Sequence, residues 1–167
     1  MGGFGSGRGQ HGKDTTEDSR PLDIRKLNRS GLLQPGRSFG WQWTINDQPV
    51  GDIRIRVHVD HVVLSYKHRP YRGAEWEDVW QPVYLDHTSC HLGGTRCWWI
   101  CPICGRRVAV LYGPSKHYAC RHCWKLAYSC QREATDDRAA RRADRIRRRL
   151  GWHVGILNPK GRKPKGM

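Results

Sequence analysis

The sequence contains no run of about 18 apolar residues, which excludes an ordinary membrane-spanning helix. The opening stretch MGGFGSGRGQHGKD offers no apolar segment that could act as a signal peptide, so the expectation is an intracellular protein without a membrane partner. A further absence is acidic: not one Asp or Glu occurs between His87 and Arg132. Cations in that stretch have no local carboxylates to neutralise them. Nor does the chain have many asparagines, only Asn28, Asn46 and Asn158. None of these follows Asp86-His87 at the distance a ββα-metal nuclease motif requires.

The 167 residues suffice for one domain or two small ones and exclude a large α/β barrel enzyme. Thirty Lys and Arg stand against fifteen Asp and Glu, giving a formal net charge of +15 and pI near 10.0. The excess is strongly localised. Up to Ser89 there are twelve basic and eleven acidic residues, and from Cys90 onward eighteen and four. A charge surplus of this size opposes compaction and favours a polyanionic partner, of which nucleic acid is the commonest.

Along the chain, residues 1–21 are Gly-rich and polar and read as a disordered tail. Gly7 to Gly12 fits GxGxxG, but no strand precedes it, so it carries no dinucleotide fingerprint. Residues 22–89 read as a small β-rich domain. A short helix over 22–33 ends at Gly31, and alternation with period two begins at Phe39. Trp41, Trp43 and Ile45 form one strand and Ile53, Ile55, Val57 and Val59 another, with a turn at Asn46-Asp47-Gln48-Pro49. His61 to Lys67 is a third strand. Val79 to Leu85 is a fourth, which Pro82 pushes towards an edge or bulge.

The seven cysteines are an odd number, which argues against a disulfide framework. Cys101, Cys104, Cys120 and Cys123 are spaced CxxC-x15-CxxC, the pattern of a closed four-thiolate structural zinc site. Gly105 lets the backbone close under the metal. Arg106 to Tyr112 and Lys116 to Ala119 read as a hairpin about Gly113-Pro114, so residues 90–130 are expected to form a zinc ribbon holding one Zn²⁺. Four thiolates leave no open position for water, which makes such an ion structural. Cys90, Cys97 and Cys130 read as buried small hydrophobes.

Within 90–130, Trp98, Trp99, Tyr112, Tyr118, Trp124 and Tyr128 alternate with Arg96, Arg106, Arg107, Lys116, Arg121 and Lys125. Rings that stack on bases beside cations that hold phosphates suit single-strand binding, although about half of these rings are expected to pack in a core. Residues 131–150 read as an Arg-rich helix with eight Arg, among them Arg141, Arg142, Arg145, Arg147, Arg148 and Arg149. Its narrow apolar seam is Ala139, Ala143, Ile146 and Leu150, and Gly151 is its C-cap. Residues 151–167 read as a basic flexible tail. The fold class expected is therefore α+β: a small antiparallel sheet domain, a four-cysteine zinc ribbon and a basic C-terminal helix.

The blocks GGFGSGR, LDIRKLNRSGLLQPG, TSCHLGG, CPICGRRVAVLY, CRHCWKLAYSCQRE, RIRRRLG and KPKGM occur in this order. Together they resemble a largely uncharacterised family of short bacterial and bacteriophage zinc-ribbon proteins. The resemblance implies Cys101, Cys104, Cys120 and Cys123 as metal ligands and a prokaryotic cytoplasm or nucleoid as habitat. Three functions then compete. The first is a non-enzymatic protein that grips DNA or RNA through the ribbon and the Arg-rich helix. The second is a protein-interaction adaptor of phage or mobile-element origin, for which the β domain offers a surface to a protein partner. The third is a metal-dependent nuclease using His58, Asp60, His61, Asp86, His87 and His91 as acid-base or ligand groups. The first is favoured, because the ribbon and the Arg-rich helix together supply a grip on a polyanion and no catalytic constellation is evident.

Overall fold

A computed structural model describes residues 14–155 and 157–162. The chain divides into two compact units, one running to Ala127 and one from Tyr128 onward. In the first unit the order is β1 (Pro21–Asp23), α1 (Ile24–Arg29), β2 (Ser38–Ile45), β3 (Gln48–Val57), β4 (His61–His68), β5 (Glu77–Ser89), β6 (Thr95–Ile100), β7 (Arg107–Val108) and β8 (Val110–Tyr112). The second unit holds α2 (Ser129–Arg132) and α3 (Thr135–Arg149).

Strands β2 to β7 follow one another in a six-stranded antiparallel sheet that curls into a half-barrel. Alternation dictates its faces. Ile53, Ile55 and Val57 of β3, Val62 and Leu64 of β4, Val79 and Val83 of β5, and Cys97 and Trp99 of β6 point inward and are buried. Arg54 and Arg56 stay outside. The β2–β3 turn places Asn46 and Asp47 at φ 49° and 61°, the paired positive values of a type I′ hairpin turn, whose twist matches that of the strands. The open side of the half-barrel is closed by Leu22, Ile24 and Leu27 from β1 and α1, together with Leu111 and Tyr118. Asp23 caps α1 by accepting the Arg25 backbone N–H at 2.9 Å.

Strand β5 changes partner along its length. Residues 77–84 pair with β4, and Leu85 to Ser89 pair with β6. This handover turns the sheet. The expectation for Pro82 is met locally: β5 is internal in the strand order, but Pro82 lies in the half paired on one side only, an edge position where its missing N–H is accommodated.

Four expectations differ. The tail reading of residues 1–21 falls outside the described residues up to position 13. Residues 14–20, however, belong to the folded unit: Thr16 donates its N–H to the Ala127 carbonyl at 2.9 Å, and Thr15, Thr16 and Ser19 are buried. Local composition could not reveal a segment whose partners lie a hundred residues away. A division between Ser89 and Cys90 cuts the β5–β6 pairing, so residues from 90 onward continue the same sheet. The expected hairpin within 106–119 is reduced to one bridge, Tyr112 with Ala119, because β7 pairs with β6 and β8 with β1. Finally, the tail reading of 151–167 falls outside the described residues at 156 and 163–167, but the described part folds back on α3 through His153, Gly155, Asn158 and Pro159.

Candidate metal centre

The four cysteines of the two CxxC pairs converge. Their sulfurs all lie within 4.8 Å of one another. Cys101 and Cys123 are 3.8 Å apart, Cys104 and Cys120 3.7 Å, and Cys120 and Cys123 3.5 Å. Four sulfurs arranged tetrahedrally at about 2.3 Å from one ion would be separated by about 3.8 Å, so this donor set fits a small tetrahedral metal ion.

Each knuckle is built locally. Cys101 closes the first: its N–H donates to the Arg106 carbonyl and its own carbonyl accepts the Gly105 N–H, both at 2.9 Å. Gly105 has φ +69°, a value that a residue with a Cβ adopts only at a cost. In the second knuckle a single turn runs from Cys120 and ends as a helix does. Lys125 N–H donates to the His122 carbonyl at 3.1 Å, and Leu126 N–H to that of Arg121 at 2.9 Å. The left-handed residue of that closure is Lys125, at φ +52°. Buried Leu126 and Ala119 anchor the turn to the rest of the unit.

Burial and mutual proximity make the thiols unequal. Burial pushes Cys101 up, but backbone N–H groups of Cys104, Cys120 and Ile103 outweigh it and bring the thiol down to about 7. At Cys120 and Cys123 burial acts together with the sulfurs of Cys101 and Cys104, and both are raised. A group of sulfurs so close together cannot all ionise unless a cation compensates them, which is the electrostatic condition a thiolate-bound metal satisfies. The Cys120 N–H also donates to the Cys101 sulfur at 3.3 Å, orienting it from outside the donor set.

The cations expected to touch a polyanion separate into two groups. Arg106 and Lys125 at the knuckles are exposed. Arg107, in contrast, is paired with Asp86, and the Lys116 ammonium lies 2.7 Å from Glu77. Both acids come from β5, outside the stretch that has none, and only the strand pairing brings them near. Arg121 is half-buried and has partners of its own. In the second unit Arg142, Arg145, Arg148 and Arg149 are exposed on α3, whereas Arg141 pairs with Glu133 at 2.7 Å. Arg147 donates to the carbonyls of His153, Asn158 and Pro159 at 2.8–3.1 Å. It is a clamp for the segment after the helix, not an open contact.

The aromatic residues need the same correction. Trp99 is wholly buried and donates its indole N–H to the Leu22 carbonyl at 3.1 Å, so it cannot meet a base. Tyr112 and Tyr118 are buried as well. Trp98 is half-buried, with Arg96 over its ring at 5.4 Å and its N–H on Thr88. Trp124 is half-buried against Cys101, Ala119 and Cys120. Among the remaining cysteines Cys97 is in the core, Cys90 is half-buried and Cys130 is exposed, so the buried reading fails for Cys130. Of the acid-base candidates only His58, Asp60 and His61 come together. His58 and His61 stack at 4.4 Å with Asp60 on His61, Asp86 is engaged by Arg107, and His87 and His91 are exposed. No described helix is long and apolar enough to cross a membrane.

No family model, curated protein or solved structure matches this chain.

Proposed function

We propose that the chain is a zinc-binding protein that grips nucleic acid without chemically altering it. Cys101, Cys104, Cys120 and Cys123 would hold one structural Zn²⁺, the two knuckles forming the ribbon-like element to which the sequence blocks also point. Soft thiolates select zinc among the common divalent ions, and a closed donor set gives it no catalytic position. The observation that carries the reading is the fit of the sulfur separations to a tetrahedral ion, beside a stretch of chain free of acids. With Arg107, Lys116, Arg141 and Arg147 engaged inside the protein, phosphate contacts fall to Arg106 and Lys125 at the knuckles and to Arg142, Arg145, Arg148 and Arg149 on α3. Of the tryptophans in the cysteine-bearing stretch, Trp98 and Trp124 are near enough to the surface to meet a base.

The test has two parts. Metal analysis should find one zinc per chain, lost on Cys104→Ser. Salt titration of binding to single-stranded DNA, duplex DNA and RNA should give log K falling by about 0.7–0.9 per phosphate contact per log unit of salt. Replacing both Arg148 and Arg149 with Ala should shallow that slope by roughly two contacts, while Arg147→Gln leaves it unchanged. Zinc-loaded protein that binds none of the three at about 50 mM salt overturns the reading.

A further inference from the structure

The sheet itself carries a second candidate site, on elements that the basic C-terminal half does not include. Strands β3 and β4 pair only from Arg54 with Ser65 to Val57 with Val62. Before Arg54, β3 pairs with β2 alone, and beyond Ser65, β4 pairs with β5 alone. The two strands diverge, and a cleft of about 810 Å³ opens between them. Its volume lies in the range of sites for small organic ligands.

Its lining is chemically mixed in an informative way. Arg20, from the segment before β1, reaches into the cleft, half-buried, and its side chain makes no hydrogen bond or ion pair among the described residues. It passes directly over Gly51: a Cβ there would stand 3.0 Å from Nη1 and 3.1 Å from Cδ. Arg54 and Lys67 add two exposed cations. Trp76 and Trp80 line the same cleft with 57% and 68% of their surface exposed, and Arg69 lies 4.7 Å over the Trp76 ring. Large rings this exposed in so small a core are costly to keep unless something covers them. Asp52 and Asp78 complete the lining.

A half-buried guanidinium without a partner asks for an anion. An exposed indole beside it asks for a flat ring, since stacking on Trp is indifferent to which base is presented. The two carboxylates disfavour a bare anion but can accept from the exocyclic amine or ring N–H of a base. One ligand chemistry satisfies all three demands. We propose that this cleft binds a nucleoside phosphate, its phosphate on Arg20 with Arg54 and Lys67 near, and its base stacked on Trp80. The source is either a free nucleotide or the unpaired end of a nucleic-acid strand. This site shares no residue with the knuckle and helix contacts and does not need them.

Calorimetric titration of the zinc-loaded full chain with adenosine monophosphate, adenosine, inorganic phosphate and the hexanucleotide p(dA)6 tests it. Adenosine monophosphate should saturate one site and bind at least about tenfold tighter than either adenosine or phosphate. Trp80→Ala, a change at an exposed position, should weaken it by about 5- to 100-fold. Arg20→Gln, which removes the guanidinium, should erase its advantage over adenosine. Zinc content and circular dichroism of each variant establish that it is folded. Arg148→Ala with Arg149→Ala should leave mononucleotide binding intact, which separates this site from the polyanion contacts. Competition between p(dA)6 and the mononucleotide identifies the source: a tighter hexamer indicates a strand end, equal affinity a free nucleotide. No saturation by either phosphate ligand, equal binding of adenosine and its monophosphate, or indifference to Trp80→Ala each overturns the proposal.

Discussion

At the scale of single residues, Lys125 shows a conflict between backbone and side chain. It occupies the left-handed position that ends the Cys120–Cys123 turn, where glycine would be free of strain and a lysine is disfavoured by roughly 1 kcal/mol. Its side chain is exposed. Strain retained at such a position is a reason to look for a role outside the fold. Lys125→Gly is accordingly expected to stabilise the first unit, by up to about 1 kcal/mol in a denaturant titration, while reducing the salt slope of nucleic-acid binding by about one contact. Stabilisation with unchanged binding would leave Lys125 without a place in the interface. The sequence makes the four cysteines legible because a metal knuckle is a local device: each CxxC supplies two sulfurs from one turn. It leaves Trp98 and Trp99 indistinguishable, since both are rings beside Arg96. Only the pairing of Leu85 with Trp99, which aims that ring at Leu22, separates the core residue from the half-exposed one.

At the scale of elements, α3 illustrates how a run of arginines divides its labour. The helix ends in a Schellman closure: Gly151, at φ +69°, donates to the Arg148 carbonyl at 3.2 Å and Trp152 to that of Arg147 at 2.8 Å. The chain then folds back along the last turns. The Gly155 N–H donates to Asp144 at 2.8 Å, the Trp152 indole donates to the Arg162 carbonyl at 3.0 Å, and the Arg147 guanidinium collects three carbonyls. A charged side chain that satisfies three backbone acceptors contributes more to order than to surface charge. Arg147→Ala should therefore raise amide exchange across 152–162 by an order of magnitude or more, with α3 itself still helical. Arg148→Ala should leave that exchange unaltered. Equal effects of the two substitutions would refute the clamp. The helix and its glycine end were legible from period and composition, because both are short-range properties. The return of the tail was not, because a stretch such as WHVG has neither period nor apolar run, and its order comes from carbonyls that any sequence presents.

At the scale of the whole molecule, the first unit ties its beginning to its end. Thr16 and Asp14 exchange backbone hydrogen bonds with Ala127 at 2.9 and 3.0 Å, Ile24 N–H reaches the Ala109 carbonyl at 3.0 Å, and β1 pairs with β8. All these partners lie between or just after the two knuckles. The segment before β2 is thus held partly by the element that the four cysteines organise, while β3 and β4 hold each other through Ile53, Ile55, Val62 and Leu64. Removing the metal proposed for that element should act unevenly. With a strong chelator, amide exchange should rise over 101–127 and, in step with it, over 14–23, while the inner residues of β3 and β4 stay protected. Arg20 belongs to the released segment, so affinity for adenosine monophosphate should fall by about tenfold or more under the same treatment, although no cysteine lines the cleft. Readdition of zinc should restore both. Exchange confined to 101–127, with residues 14–23 still protected, would show that the N-terminal segment docks on its own buried Leu22, Ile24 and Leu27. The metal centre and the cleft would then be independent.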